Sequence, residues 1–159
     1  MMTHNRAAIA SRRARPSLPL QPREPWAALV DCLGSSEDEA SIIVLGRDGP
    51  DLMCALLRAG APHVTHLCAH AHLESESASL VIVPRLPSLT WLDGALSSLR
   101  RALVASGRLA VCIDPLPATQ QAVQRKLTVH AFTAMRATCV AGRLVITAEV
   151  PTLSLRRCA

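Results

Sequence analysis

The sequence predicts an α/β fold in which a Rossmann-like, doubly wound sheet ends in an antiparallel hairpin. Short aliphatic runs bounded by glycine or proline alternate along the chain with segments in which apolar residues recur every three or four positions. Continuous aliphatic runs are typical of strands buried on both faces, and the longer spacing is typical of amphipathic helices. This alternation predicts parallel strands covered by helices on both sides.

The first part of the chain is predicted to form a short helix, a buried strand and a second helix. The short helix covers residues 26–33, and the aliphatic strand covers residues 42–45. Asp48 is expected to cap the second helix and Pro50 to lie in its first turn, because these residue types favour those positions. Gly60 is expected to end that helix.

The remainder of the chain is predicted to alternate in the same way until two antiparallel strands close it. The spacing of apolar residues from 91 to 103 gives a strong amphipathic pattern. The last two segments alternate around Ala141-Gly142, as the strands of a hairpin do. The predicted elements are a strand at 63–68, a connection at 69–78, a strand at 80–83, a helix at 91–103, a strand at 109–113, a helix at 119–129 and a hairpin at 131–140 and 143–149.

Composition divides the chain into four parts. Its 159 residues suffice for one domain with a real core, and 50% of them are hydrophobic. Arginine and proline concentrate at the start, where we expect a disordered arm. The predicted parts are the arm at 1–25, a short helix and linker at 26–41, the α/β domain at 42–150 and a C-terminal tail at 151–159.

The net charge of +5 arises mainly from the two ends of the chain. Residues 1–25 and 156–159 hold seven of the seventeen basic residues and only one of the twelve acidic ones. The body between them is therefore close to neutral, which disfavours a nucleic-acid-binding face. The aromatic content of 2% also provides few platforms on which bases could stack.

The sequence predicts a protein of a reducing compartment with no membrane span. No apolar run approaches the roughly 18 to 20 residues that cross a bilayer. The six cysteines include no C-x-x-C pair, and several lie in apolar runs, which fits free thiols in the cytoplasm. Residues 1–23 are rich in arginine and contain no acid, a composition shared by organelle transit peptides in eukaryotes and by disordered bacterial tails.

Two segments in the middle of the chain carry a family resemblance. The run Leu80-Val-Ile-Val-Pro-Arg-Leu-Pro-Ser-Leu is followed by a helix that ends in Leu99-Arg-Arg-Ala-Leu-Val-Ala-Ser-Gly-Arg-Leu. This arrangement is similar to the fourth strand, helix and glycine-containing turn of class I S-adenosylmethionine-dependent methyltransferases. The closing hairpin, which Phe132 opens, also resembles that family. The resemblance covers roughly residues 42–150 and implies a methyltransferase-type sheet.

The resemblance implies an S-adenosylmethionine site, and the chain departs from the family pattern at each part of it. The glycine-rich loop corresponds to Gly46, Asp48 and Gly49, with Asp48 in place of the second family glycine. Cys68 is the nearest match to the acidic residue that would bind the ribose. Only eleven residues separate Cys68 from the next strand, too few for the family's usual helix and third strand. Arg85, after the fourth family strand, is a candidate to meet an anionic group.

Each of these residues also has a purely structural explanation. Gly46 can simply end a strand, Gly49 can relieve a turn, and Asp48 can cap a helix. Arg85 can be a solvated surface cation. Asp114 follows a strand at the edge where such folds bind ligands, so it can be a general base, a polar anchor or a strand terminator.

A histidine-rich segment at residues 66–72 raises the possibility of a metal site. His66, Cys68, His70 and His72 alternate, so in an extended strand they would share one face. Imidazole and thiolate are zinc ligands, which makes His70 and His72 the metal candidates. Extended geometry spreads the four side chains over about 20 Å, so at most three could meet one ion, and a polar loop is the favoured interpretation.

Three functional hypotheses follow. The first is a degenerate methyltransferase-like domain that acts as a binding or scaffold module, with a protein partner reached through the arginine-rich arm or an exposed sheet edge. The second is a divergent S-adenosylmethionine-dependent methyltransferase with an unknown substrate. The third, more distant, is a metal-binding protein that uses residues 66–72.

Overall fold

Within the described residues, six strands form one mixed sheet with helices on both faces, as the sequence predicts. The computed structural model describes residues 26–34 and 41–152. The predicted disordered arm at 1–25, residues 35–40 of the linker and residues 153–159 of the tail lie outside the described residues. No helix in the two described ranges is both long enough and apolar enough to cross a membrane.

The elements follow the predicted order closely. The four helices are α1 (Ala27–Leu33), α2 (Gly49–Arg58), α3 (Leu89–Ala102) and α4 (Pro117–Val129). The six strands are β1 (Ile42–Leu45), β2 (Val64–Leu67), β3 (Ala78–Val83), β4 (Leu103–Ile113), β5 (Thr133–Val140) and β6 (Arg143–Glu149).

The strand order across the sheet is β2-β1-β3-β4-β6-β5. The first four strands in this order are parallel, whereas β6 is antiparallel to both of its neighbours. The connection at 68–77 contains no helix or strand, in agreement with its short length. In the doubly wound order 3-2-1-4-5-6 the third strand lies outside the second one. Here β2 is the edge of the sheet that the described residues form.

The sheet separates two layers of buried apolar side chains. Because side chains alternate along a strand, Ile43 and Leu45 of β1 face one layer, and Ile42 and Val44 face the other. One layer packs against α3 and α4, and the other packs against α1 and α2. Burial on both faces explains why the parallel strands have continuous aliphatic sequences.

The main difference from the prediction is at the start of β4. The sequence predicts a helix that ends at residue 103 and a strand that begins at residue 109, but α3 ends at Ala102 and the chain continues directly into β4 at Leu103. Leu103 pairs with the start of β3, and the register then shifts before the regular pairing begins. Ser106 adopts a positive φ of 63° in this shifted segment, so the glycine-containing turn forms an irregular stretch of the strand.

Candidate functional site

The carboxyl ends of the four parallel strands meet at one edge of the sheet. Ligands of open α/β sheets bind at this edge, which makes it the candidate functional site. The loops that form it are 46–48, 68–77, 84–88 and 114–116. The predicted cofactor-binding residues all belong to these loops or to the helix start next to them, and they are Gly46, Asp48, Gly49, Cys68 and Arg85.

The glycine loop after β1 is packed against a side chain of β2. Gly46 has a φ of +104°, which favours glycine. Its carbonyl oxygen accepts hydrogen bonds from the Gly49 amide at 3.2 Å and from Nε2 of His66 at 2.8 Å. A Cβ atom added to Gly49 would overlap the His66 ring. The space that Gly49 leaves open is therefore filled by the protein's own imidazole.

Asp48 occupies the N-cap position of α2, but its side chain does not form the expected capping hydrogen bond. Its Oδ2 atom instead lies 4.0 Å from Nη1 of Arg143, the first residue of β6. The prediction that Asp48 is the N-cap residue is therefore confirmed for its position but not for its side chain, and Pro50 lies in the first turn of the helix as predicted.

Arg143 connects three parts of the candidate site, and local sequence patterns give no sign of it. Its Nη1 atom donates a hydrogen bond to the carbonyl oxygen of Pro84 at 3.0 Å. Its guanidinium carbon lies 5.0 Å from the centre of the Trp26 ring, within the range of a cation–π contact. Together with Asp48, these contacts fix a positive charge beside the ends of β1 and β3.

A cavity of about 270 Å³ opens beside Arg143, between the ends of β3 and β4. Arg85, Asp114, Ser88 and Thr119 provide its other polar groups. The apolar part of the lining comes mainly from Leu86, Leu89 and Leu116 of the loops and helix starts, and from Ile113 at the end of β4. The cavity thus combines charged groups of both signs with a short apolar surface.

Cys112 also lines this cavity, but its thiol is not poised as a nucleophile. Its side chain is only 2% exposed. Burial raises the pKa of Cys112 to about 12, and the charge of Arg143 opposes this shift only in part. Because the thiolate is the reactive form, the protonated thiol acts here as an apolar group.

The structure brings the histidine segment together only in part. The chain is extended as far as Leu67, and the Ala71 amide then donates to the carbonyl of Cys68 in a turn. His70 and His72 therefore do not continue the alternation of His66, and both are exposed. Within residues 26–34 and 41–152, no group of three His, Cys, Asp or Glu side chains is arranged to hold a metal ion.

The other predicted residues lie apart from one another around the edge. Cys68 is exposed at the end of β2, and Arg85 is exposed after β3. A second cavity, of about 340 Å³, lies between the 69–73 loop and α3 and includes His70 and Trp91. The Trp91 indole nitrogen donates to the carbonyl of Ala69 at 3.1 Å and fastens the helix to that loop.

The sheet and its ligand edge define a class of fold, that of the class I S-adenosylmethionine-dependent methyltransferases. No family model and no curated protein matches the sequence. The chain is similar in structure to the T. thermophilus 16S rRNA N2 G1207 methyltransferase RsmC, solved with AdoMet and guanosine. The TM-score is 0.58 and the identity 16%, over 82% of this chain and 40% of that one.

Two further solved structures have the same fold. PigF, solved with SAH, gives a TM-score of 0.56 and 15% identity, over 78% of this chain and 54% of that one. A candidate S-adenosyl-L-methionine-dependent methyltransferase from Methanococcus maripaludis gives 0.63 and 11%, over 82% and 86%. The chain thus spans about half of PigF and two fifths of RsmC. At these identities the likeness concerns the fold, and function has to be argued from the site.

Proposed function

We propose that this methyltransferase-like domain serves as a binding or scaffold module for a partner protein and does not transfer methyl groups. The observation that supports this most strongly is the position of the His66 ring, which donates a hydrogen bond to the Gly46 carbonyl oxygen and fills the space beside Gly49. In methyltransferase-like folds, glycines in this loop matter because a cofactor can approach their backbone. In this chain the shape and hydrogen bonds of the same loop are accounted for by contacts within the protein.

The residues present fit S-adenosylmethionine poorly at two further points. Cys68 stands where a ribose-binding carboxylate is expected, and a thiol is a much weaker hydrogen-bond acceptor than a carboxylate. The short connection at 68–77 replaces the helix and strand that would build the adenine side of the site. These departures lie in the same part of the edge as the closed glycine loop. Loss of cofactor binding explains all of them together.

The edges of the sheet provide surfaces for a partner protein. β5 is an outer strand of eight residues, and most of its side chains are exposed on both faces. Arg136 is the only charged residue in it. The free backbone groups of such a strand can pair with a strand from another chain. The arginine-rich arm at 1–25 remains a second predicted route to a partner.

The test is calorimetric titration of the full chain with S-adenosylmethionine and, separately, with S-adenosylhomocysteine. We expect no saturable binding by either ligand, which means a Kd weaker than about 1 mM. Binding of either ligand at micromolar concentration would overturn the proposal. The same samples should be analysed for folding by circular dichroism, so that a negative titration refers to the native protein.

A divergent S-adenosylmethionine-dependent methyltransferase is the second candidate function. It is favoured by the two similar structures that contain AdoMet or SAH. In that case Gly46→Val should abolish binding in the titration, because the substitution is incompatible with the positive φ of the loop. Gly60→Val is the matched control, since Gly60 has a similar φ of 94° but lies outside the edge loops. Equal loss of folding in both variants would show that strain alone is responsible.

A further inference from the structure

Two guanidinium groups and two helix starts surround the cavity between the ends of β3 and β4. We propose that this cavity binds a small anion that carries a carboxylate or phosphate group and a short apolar part. The cavity opens between the ends of β3 and β4, and it meets the Gly46–Gly49 loop through the contact of Asp48 with Arg143. The proposed anion binding does not depend on whether S-adenosylmethionine binds at that loop.

Arg143 provides a positive charge that is held in place before any ligand arrives. The Trp26 ring and the carbonyl oxygen of Pro84 fix its guanidinium, so little side-chain freedom remains to be lost on binding. Asp48 compensates the charge only in part, because its oxygen is 4.0 Å away and thus beyond hydrogen-bond distance. The planar guanidinium keeps further N–H groups that suit an oxyanion.

Arg85 provides a second positive charge at the mouth of the cavity. It is exposed, and no ion pair or hydrogen bond of its side chain is found within the described part of the chain. A surface arginine can remain solvated at little cost, so Arg85 alone would not indicate an anion-binding site. Its position beside Arg143, around one cavity, is what favours an anion.

The helix starts add to this preference. Ser88, the N-cap of α3, and Leu116, the N-cap of α4, both line the cavity. Neither helix has an acidic residue in its first turn, whereas α2 has Asp51 there. The partial positive charge of the N-terminus is therefore not offset by an acidic residue within the first turn of α3 or α4, and Asp114 lies two residues before the N-cap of α4.

Two features limit the size and charge of the ligand. The cavity of about 270 Å³ lies just below the roughly 300 to 1,000 Å³ of ordinary ligand pockets, so it suits a small molecule, and Leu86, Leu89 and Leu116 would contact an apolar portion. Asp114 also lines the cavity and repels a ligand of high negative charge. A monoanion with a short aliphatic chain fits these groups better than a polyanion does.

The experiment is an NMR titration of the isotope-labelled full chain with sodium butyrate, with inorganic phosphate and with butyramide. Butyramide has nearly the shape of butyrate but no charge. We expect saturable shifts of the backbone amide signals at residues 88–90 and 118–120 with one or both anions and much weaker effects with butyramide. The response to the two anions separates a carboxylate ligand from a phosphate ligand.

Three variants test the residues. Arg85→Ala should weaken binding of the effective anion about tenfold, which is typical of a lost charge-assisted hydrogen bond. Arg125→Ala removes an exposed arginine of α4 that does not line the cavity, and it should leave anion binding unchanged. Asp114→Asn should tighten binding about two- to threefold, because a repulsive charge is removed.

The result that would overturn the proposal is equal response to butyrate and butyramide, or non-saturable shifts with both anions. Weaker binding by Asp114→Asn would also contradict it, because that outcome indicates a ligand whose positive group meets Asp114. Failure of this site would leave the proposal about the glycine loop untouched, since that proposal is tested by a separate ligand. Conversely, micromolar S-adenosylmethionine binding with intact butyrate binding would overturn only the earlier proposal.

Discussion

The two ends of the candidate ligand edge differ in how much of their surface is left accessible to a ligand. At the ends of β1 and β2, the loop of Gly46 and Gly49 is packed against His66, and its hydrogen bonds are made within the chain. At the ends of β3 and β4, Arg85 and Arg143 surround an open cavity. One fold thus places a closed loop and an accessible charged cavity on the same edge. The identity of the loop residues, and not their place in the fold, therefore decides where along this edge a ligand can bind.

The difference follows from how each end satisfies its polar groups. A backbone carbonyl such as that of Gly46 needs one or two donors, which a neighbouring amide and an imidazole can supply. An arginine side chain has five N–H donors in a planar fork, and protein groups satisfy only some of those of Arg143. Hydrogen-bonding capacity therefore remains at the β3–β4 end.

The largest expected effect on stability concerns the loop of Gly46 and Gly49 at the ends of β1 and β2. Gly49→Ala should lower the free energy of unfolding by about 3 kcal/mol, at the upper end of the cost of overpacking, because the new Cβ overlaps the His66 ring. Urea denaturation monitored by circular dichroism measures the change. Gly94→Ala is the control, since an added Cβ there meets nothing within 4 Å. That variant lies in the interior of α3 and should gain about 1 kcal/mol.

A double variant isolates the contact itself. His66→Ala removes the imidazole, so adding Gly49→Ala to that background should cost much less than it does in the native chain. The same cost in both backgrounds would show that His66 does not fill the space beside Gly49. The closed-loop explanation, and the main support for the proposed function, would then be lost.

An intermediate effect on stability is expected for Arg143, which lines the cavity between the ends of β3 and β4. Arg143→Gln should lower the free energy of unfolding by about 1 to 2 kcal/mol, since it removes the cation–π contact with Trp26 and the hydrogen bond to Pro84. Thermal and urea unfolding both measure it. Arg136→Gln, an exposed arginine of β5, should change stability by no more than about 0.5 kcal/mol. Equal effects of the two substitutions would mean that Arg143 is not fixed by its contacts.

Local sequence patterns predicted the fold because aliphatic runs, helical spacing and turn glycines determine where most of its strands, helices and turns lie. The aliphatic run of β1 is predicted to the residue, and the hairpin turn at Ala141-Gly142 lies where its glycine indicates. The closed loop could not be predicted in the same way. Nothing in the spacing of His66 shows that its ring would lie against Gly49, because that contact depends on how α2 packs beside β2.

Arg143 was missed for a related reason. It contacts Pro84 across 59 positions in the sequence, and the contact exists only because β6 lies beside β4. One signal could have found it. An antiparallel last strand next to β4 must begin where β4 ends, and Leu144 does pair with Ile113. The first residue of the predicted final strand was therefore a candidate for the ligand edge once the sheet order was assumed.

The smallest expected effect lies away from both ends and gives a baseline for exposed charges. Nζ of Lys126 on α4 lies 3.0 Å from Oδ1 of Asp93 on α3. The hydrogen bond from Lys126, and then its charge, lower the pKa of Asp93 below its ordinary value of 3.8, and His130 adds to the effect. A lowered folded-state pKa means that the stabilisation is present above pH 3.8 and is lost as the pH falls through the folded-state pKa.

Lys126→Gln should raise the pKa of Asp93 towards 3.8, as followed by NMR titration of the carboxyl carbon, whereas Arg125→Gln should not. An unchanged pKa in Lys126→Gln would mean that this exposed pair is not formed in solution, as is true of many surface ion pairs.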